Sequence, residues 1–467
     1  MSISIKGKIP YGEPPVTLNV SFTLKDFFNK KHQINLESFR NQNFGFRNTL
    51  VRIKNSLYSS VNFGIHHYSF YRQIVTGEGN YLFQKNFISP NFCTSKCRKI
   101  VDQNIQTIKE FKKKLGEYGV PVAVILLPDK ASQLRSFWPF LWKLQDKYNP
   151  LKVNWHDYYE TELRKSEVPI LNLQDCLAYN LPPFSFLPSG EHWTLIGADA
   201  TLPTLTFFLS ENKFGIFNVE PSDKKLYFSM MALHAETDLY DLLNEYNIYQ
   251  KLPSHYPYYD YSFMEPNLAN RLVLYGDSYT NQLNSVLLAS GTYIQDHLLH
   301  FENKKLNKDD LFNILRFRAP VILAYTLPNL TSSRVKDDLT SMIAILNDPI
   351  LFDSNWIKDN HGLYLPSKAK LSFLSNGNQA VLSFKIHKKI KTASNLVVYL
   401  NKIKVSEVNL LNKPLPMSVE IEIKTNRGVN DLEFYATGAT TPVHLTIPDW
   451  RKMSLLINDI GLTFNEY

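Results

Sequence analysis

The sequence predicts an α/β fold, a three-layer α/β/α domain with a parallel sheet, followed by a small antiparallel β-sandwich. Three observations carry that expectation. Val122 to Leu127 is a continuous apolar run, as a strand buried on both faces requires, and Val168 to Leu173 and Val321 to Tyr325 read as further buried strands. Helical patterns separate them, which places helices on both sides of one sheet. After about residue 365 the texture changes to short strands divided by Asn- and Gly-containing turns, with no helix between.

The elements follow in order. Pro10, Pro14 and Pro15 and weak periodicity mark residues 1–40 as an extended arm. Phe44-Gly45-Phe46-Arg47 leads into the helical spacing Leu50, Ile53, Leu57 and Val61. Gln73 to Phe83 reads as two strands about a Gly-rich turn, hence a hairpin. Its Gly77-Glu78-Gly79 is not a phosphate loop, because no third glycine or lysine follows at the required spacing. Lys99 to Tyr118 predicts a helix burying Ile100, Ile105, Ile108, Phe111 and Leu115, with Lys112-Lys113-Lys114 on its solvated face. The strand at Val122 ends in Pro128-Asp129-Lys130, a loop at a C-terminal strand edge. Thr194 caps a helix running towards Leu209 and kinked at Pro203. Arg271 to Tyr275 is a strand entering Gly276-Asp277-Ser278, after which Asn281 to Leu288 is helical. Strands at 381–386, 396–400, 419–423, 432–435 and 443–447 build the sandwich. The division is therefore an arm (1–40), an α/β domain (41–360) and a β-sandwich (365–467).

A chain of 467 residues that is 44% hydrophobic and 20% charged is globular and long enough for more than one domain. A net charge of +8 favours an anionic partner such as an acidic polysaccharide or a membrane surface. Nucleic acid is not expected, since the basic runs are short and no binding module is present. Three cysteines supply no metal framework, and Cys93, Cys97 and Cys176 leave the disulfide pairing open. No metal and no cofactor are expected. The sequence opens without a signal-peptide pattern and has no bilayer-length apolar run, which fits either a cytoplasmic protein or one read from beyond an anchor.

The chemistry concentrates in two motifs. A serine on a tight strand-to-helix turn exposes its hydroxyl beside backbone N–H groups and the positive end of a helix, which suits a developing oxyanion. Taken alone, Gly276-Asp277-Ser278 reads equally as a capped turn. Glu191-His192-Trp193-Thr194 changes that balance, because His192 supplies a base and both motifs open helices, where α/β folds place their sites.

In this order, Phe44-Gly45-Phe46-Arg47, the Gly77-to-Phe83 hairpin, Pro128-Asp129-Lys130, His192-Trp193-Thr194 with Gly197-Ala198, and Gly276-Asp277-Ser278-Tyr279 resemble the SGNH-hydrolase-like alginate O-acetyltransferases over roughly residues 35 to 335. The resemblance implies Ser/His-based acetyl transfer to an extracellular polysaccharide, at the periplasmic or extracellular face of the membrane. It implies an acetyl donor supplied by a membrane-bound O-acyltransferase, and a carbohydrate-binding β domain behind the catalytic one. By the same match Ser278 is the nucleophile and His192 the base, with oxyanion donors from the backbone after Ser278 and from a neighbouring loop.

The family commonly carries an aspartate two residues before the histidine; here that residue is Gly190. Glu191 and Asp277 are the nearby candidates for an orienting carboxylate. Glu191 adjoins the histidine on extended chain, where neighbours point apart, and Asp277 is expected to stabilise its own turn. A Ser–His dyad, an orienting group from elsewhere and an inactive descendant all remain open. Lys130, Trp193, Tyr279, Tyr325 and Asn329 are substrate-binding candidates by their places around the strand ends, each with an ordinary structural reading beside it. A carbohydrate esterase of the same fold, or a non-catalytic polysaccharide-binding protein, fits the same motifs.

Overall fold

A computed structural model of the chain describes residues 74–93, 95–149, 153–179, 184–215, 224–229, 239, 256–261, 267–299, 308–347, 350–352, 356–359, 362–366, 368–389, 393–437 and 453–464. The extended arm, Phe44 to Arg47, the helix at Leu50 to Val61 and the strand at 443–447 lie outside these residues. The strands that frame the first domain are β1 (Ile74–Thr76), β2 (Leu82–Gln84), β3 (Val122–Leu126), β4 (Ile170–Asn172), β5 (Lys224–Ser229), β6 (Tyr256–Tyr261), β7 (Asn267–Gly276), β8 (Thr292–Leu299) and β9 (Val321–Tyr325).

Five of them form one sheet in the order β4-β3-β9-β7-β8, every neighbouring pair parallel. Alternate residues serve opposite faces. Val122, Val124 and Leu126 of β3 join Val321, Leu323 and Tyr325 of β9 in one core. Ala123, Ile125, Ile322 and Ala324 join Leu272 and Leu274 of β7 in the other. The first core is covered by α1 (Ser95–Glu117), α2 (Trp155–Arg164), and the later helices Lys308–Phe317 and Arg334–Asn347. The second is covered by α3 (Leu195–Glu211) and α4 (Thr280–Ala289). This is the three-layer α/β/α arrangement expected from continuous apolar strands.

Register fixes where the chemistry emerges. Leu126 aligns with Tyr325, and Gly276 with Ala324, so β3, β9 and β7 end together along one edge of the sheet. Gly276 is held there by contact: a Cβ at this position would stand 1.9 Å from the Ala324 carbonyl oxygen. The strand expected over 168–173 is confined to Ile170–Asn172, because Leu173 already begins a short helix. The helix expected from Lys99 begins at Ser95, next to a Cys93–Cys97 disulfide; Cys176 is a free thiol. Thr194 caps α3 through a bond from Gly197 N–H to its Oγ1, and Pro203 lies inside that helix.

The C-terminal strands form two five-stranded antiparallel sheets around a shared core that includes Leu371, Phe373, Leu382, Phe384, Leu432 and Phe434. One sheet runs Ile350–Phe352, Lys368–Asn376, Arg427–Ala436, Asn395–Leu400, Ile403–Asn409. The other runs Ile357–Asp359, Gly362–Pro366, Met453–Phe464, Gln379–Lys389, Met417–Lys424. The sandwich is packed firmly on the α/β domain. Leu374 belongs to the first domain's core, Arg427 Nε donates to the Glu117 carbonyl at 2.8 Å, and Arg316 pairs with Asp431 at 2.9 Å.

Gly276→Ala is expected to destabilise the protein by about 3 kcal/mol, since the new methyl meets backbone rather than a movable side chain. Denaturant unfolding of the variant beside the parent measures this.

Candidate active site

Ser278 sits on the turn between β7 and α4, and both Ser278 and His192 are half-buried. The turn is built by Asp277. Its Oδ1 accepts the Tyr279 N–H at 3.1 Å, and its Oδ2 accepts three donors at 2.7 Å: the Thr326 N–H, the Thr326 hydroxyl and the Asn329 amide. Asp277 therefore joins the end of β7 to the turn after β9. Its oxygens are committed to that joint, so it is not the group that orients the histidine. Thr280 N–H closes the turn onto the Asp277 carbonyl at 3.0 Å.

His192 rides on a loop from Ser185 to Thr194, closed by a bridge between Phe186 and Trp193 and by Thr194 N–H to the Ser185 carbonyl at 2.9 Å. Three other parts of the fold grip this loop. Leu82 N–H donates to the Pro188 carbonyl at 2.8 Å, from β2. Trp193 Nε1 donates to the Tyr279 carbonyl at 2.8 Å, linking the histidine loop to the serine turn. Lys130, fully buried, donates from Nζ to the Pro188 carbonyl at 3.0 Å and to the Gly190 carbonyl at 2.5 Å. Its ammonium also lies 5.5 Å from the Tyr81 ring centroid and 5.3 Å from that of Phe83. The result is a hydrogen bond of 2.6 Å between His192 Nε2 and Ser278 Oγ.

Glu191 is buried, and its carboxylate is directed to the hairpin: Oε2 accepts the Gln84 N–H at 3.1 Å and Oε1 the Tyr279 hydroxyl at 3.3 Å. The same hydroxyl donates to the Glu191 carbonyl at 2.8 Å, and the Tyr279 ring stands 4.7 Å from the imidazole. Glu191 thus acts on the ring's surroundings through Tyr279.

All five residues expected to contact substrate are interior ones. Lys130 holds the histidine loop, Trp193 and Tyr279 stitch loop to turn, and Asn329 serves Asp277. Tyr325 is fully buried and its hydroxyl has no hydrogen-bond partner among the described residues; burial drives its phenol well above the ordinary range. None of them presents a surface to a ligand. The oxyanion donors also differ from expectation. The amides after Ser278 are engaged, Tyr279 by Asp277 and Asn281 by the Ser278 carbonyl at 3.2 Å. Ser278's own N–H has no hydrogen bond to a described residue and is the donor the turn leaves open. Thr326 was not singled out by the sequence, though its place directly after β9, beside Asn329, is the signal that marks it.

Beside Lys130, Asp129 is fully buried and caps the following turn through Ser132 N–H at 2.8 Å. Burial raises its carboxyl to about 6, against the opposing pull of that bond and of Arg135. Because the folded-state value lies above the unfolded one, the native protein holds this proton longer. The contribution of Asp129 to stability is therefore fully present below the unfolded value and is lost between about pH 4 and 6, by on the order of 3 kcal/mol. Asp129→Asn is expected to remove that fall and to be the more stable protein at pH 7.5, as melts across pH will read. Lys130→Met leaves the Gly190 carbonyl without this donor and the Pro188 carbonyl with Leu82 N–H alone; a loss of about 2–4 kcal/mol is expected by denaturant titration.

No family model matches this chain, and no curated protein sequence matches it. Among solved structures it is similar to the O-acetyltransferase domain of Pseudomonas putida AlgJ, with 16% identity over 59% of this chain and 99% of that one, at a TM-score of 0.40. It is similar to Pseudomonas aeruginosa AlgX, with 12% identity over 84% of this chain and 93% of that one, TM-score 0.44. It is also similar to Bacillus cereus PatB1, with 12% identity over 56% of this chain and 98% of that one, TM-score 0.38.

Proposed function

We propose that this chain transfers acetyl groups to hydroxyls of a polysaccharide outside the cytoplasm, through an acetyl-Ser278 intermediate. The observation that carries the reading is the 2.6 Å contact of His192 Nε2 with Ser278 Oγ at the mouth of α4. A serine hydroxyl is a weak nucleophile until a base takes its proton, and in this reading His192 is that base. Ser278 Oγ attacks the acetyl carbonyl of the donor while His192 accepts the hydroxyl proton. The new C–O bond forms, the carbonyl oxygen takes negative charge against the Ser278 N–H, and the donor's oxygen leaves with the proton from His192. A sugar hydroxyl then gives its proton to His192 and attacks the acetyl-serine, and Ser278 departs as it regains that proton.

The donor in this reading is presented by a membrane-bound O-acyltransferase, and residues 365–467 serve as an accessory glycan-binding module. The Cys93–Cys97 disulfide supports a compartment outside the reducing cytoplasm. No helix among the described residues is long and apolar enough to cross a membrane. An esterase of the same design differs only in passing the acetyl group to water.

Intact-mass analysis after incubation with an activated acetyl ester tests the reading. One added acetyl group is expected, absent in Ser278→Ala and formed about 10²- to 10⁴-fold more slowly in His192→Ala. An unmodified parent protein with no ester turnover would sink the proposal. Release of the acetyl group accelerated by an oligosaccharide, with acetylated sugar as product, separates transferase from esterase.

A further inference from the structure

We infer that the helix Phe140–Lys147 docks this protein on an anionic lipid bilayer, with Phe140, Leu141, Leu144 and Tyr148 turned into the interface. The inference stands apart from the acetyl-transfer reading. A surface helix of a globular domain turns its apolar stripe inward and its charges outward. This one is inverted. None of its eight residues is buried, and Phe140, Leu141 and the capping Tyr148 stand 48%, 39% and 70% exposed. With 3.6 residues to a turn, Phe140, Leu144, Tyr148 and Leu141 share one arc of about 100°.

The opposite side carries charged groups and one anchor. Asp146 meets Arg135 at 3.6 Å, and Lys143 pairs with Glu78 and donates to the Ser136 carbonyl at 3.3 Å. Trp142 packs edge to face on Phe92, with ring centroids 5.9 Å apart. These contacts hold the helix with its apolar face outward. Its footing is shared with the candidate active site. The Phe137 and Tyr81 ring centroids stand 4.4 Å apart, and the adjoining Leu82 N–H holds the Pro188 carbonyl of the histidine loop at 2.8 Å.

Length, area and charge choose the occupant. Eight residues rise about 12 Å, against the roughly 30 Å of a bilayer's hydrocarbon, so the helix lies along the surface and does not cross it. The four outward side chains offer on the order of 400 Å², about half of what one partner buries in a stable protein interface. A bilayer sets no such minimum: apolar side chains enter the acyl boundary one by one, and a cation beside them adds attraction to anionic headgroups. Lys147 supplies that cation on the same face. It lies about 20° from Phe140 around the helix, and its ammonium is 5.5 Å from the Tyr148 ring centroid. The helix's own carboxylate, Asp146, is turned to Arg135 on the other side, so it does not oppose an anionic headgroup. Tyrosine and lysine each keep a polar end among headgroups while the apolar part of the side chain sits below.

The test is flotation of the full chain with vesicles of phosphatidylcholine alone and of phosphatidylcholine and phosphatidylglycerol in equal parts. The parent is expected to float with the mixed vesicles and to bind the neutral ones more weakly. The double variant Leu141→Gln, Tyr148→Gln is expected to lose about tenfold in partitioning, and Lys147→Glu about as much on the mixed vesicles only. Both variants are expected to keep the parent's melting midpoint, because the substituted side chains point outward. A parent that floats with neither vesicle, binds both equally, or is unaffected by the double substitution overturns the proposal. So does a parent dimer that the double substitution turns into a monomer, since the face then belongs to a second copy. Failure of the acetyl-transfer reading appears separately, as a parent that never acquires the acetyl group.

Discussion

An ammonium group shut away from water must find carbonyl oxygens or aromatic faces, and Lys130 finds both. It enters the interior from the end of β3, lies near Tyr81 and Phe83, and holds the Pro188 and Gly190 carbonyls of the loop that carries His192. Removing a charge from water is costly, and only good geometry compensates for it. The position of His192 therefore depends on the assembly of β3, the β1–β2 hairpin and the histidine loop around one cation. Asp277 plays the matching part for Ser278: a buried carboxylate with four donors, drawn from the ends of β7 and β9. Opposite charges, buried at the ends of β3 and β7 on either side of β9, hold His192 and Ser278.

Ser278 and His192 were legible because their chemistry is local. A strand, a tight turn and a helix start follow one another in sequence, and so do the histidine and its capped helix. The supporting residues were legible as places but not as directions. Lys130 lies at a strand end, where a side chain can face outward to a ligand or inward to a carbonyl; only the docking of a loop some sixty residues away decides between them. Asn329 and Thr326 reach Asp277 across about fifty residues, and no local pattern encodes that closure. Gly190 was read as a lost carboxylate. Its carbonyl is the atom that matters here, because the backbone remains when the side chain is gone.

The fold follows the same division. The strands β3 and β9 declared themselves as unbroken apolar runs because both their faces are covered. Lys368–Asn376 did not announce itself as a strand: its alternation is lost from Ser372 to Ser375, which are buried in succession. Phe373 faces the sandwich core and Leu374 the core of the α/β domain, so the strand has no solvent face there. Met453–Phe464 lost its period for another reason. Asp459 takes a left-handed conformation, and the register with Gln379–Lys389 shifts beside it.

That doubly covered strand has a bearing on ancestry. Sandwiches of this kind are readily pictured as cassettes passed between enzymes, joined by a linker and indifferent to their hosts. Here Leu374 completes the host's interior, and Arg427 satisfies the Gly116 and Glu117 carbonyls at the end of α1. A foreign module spliced at the same point would leave a hollow and an open helix end behind it. The two halves have to be inherited as a pair, and drift in one constrains which substitutions the other can accept.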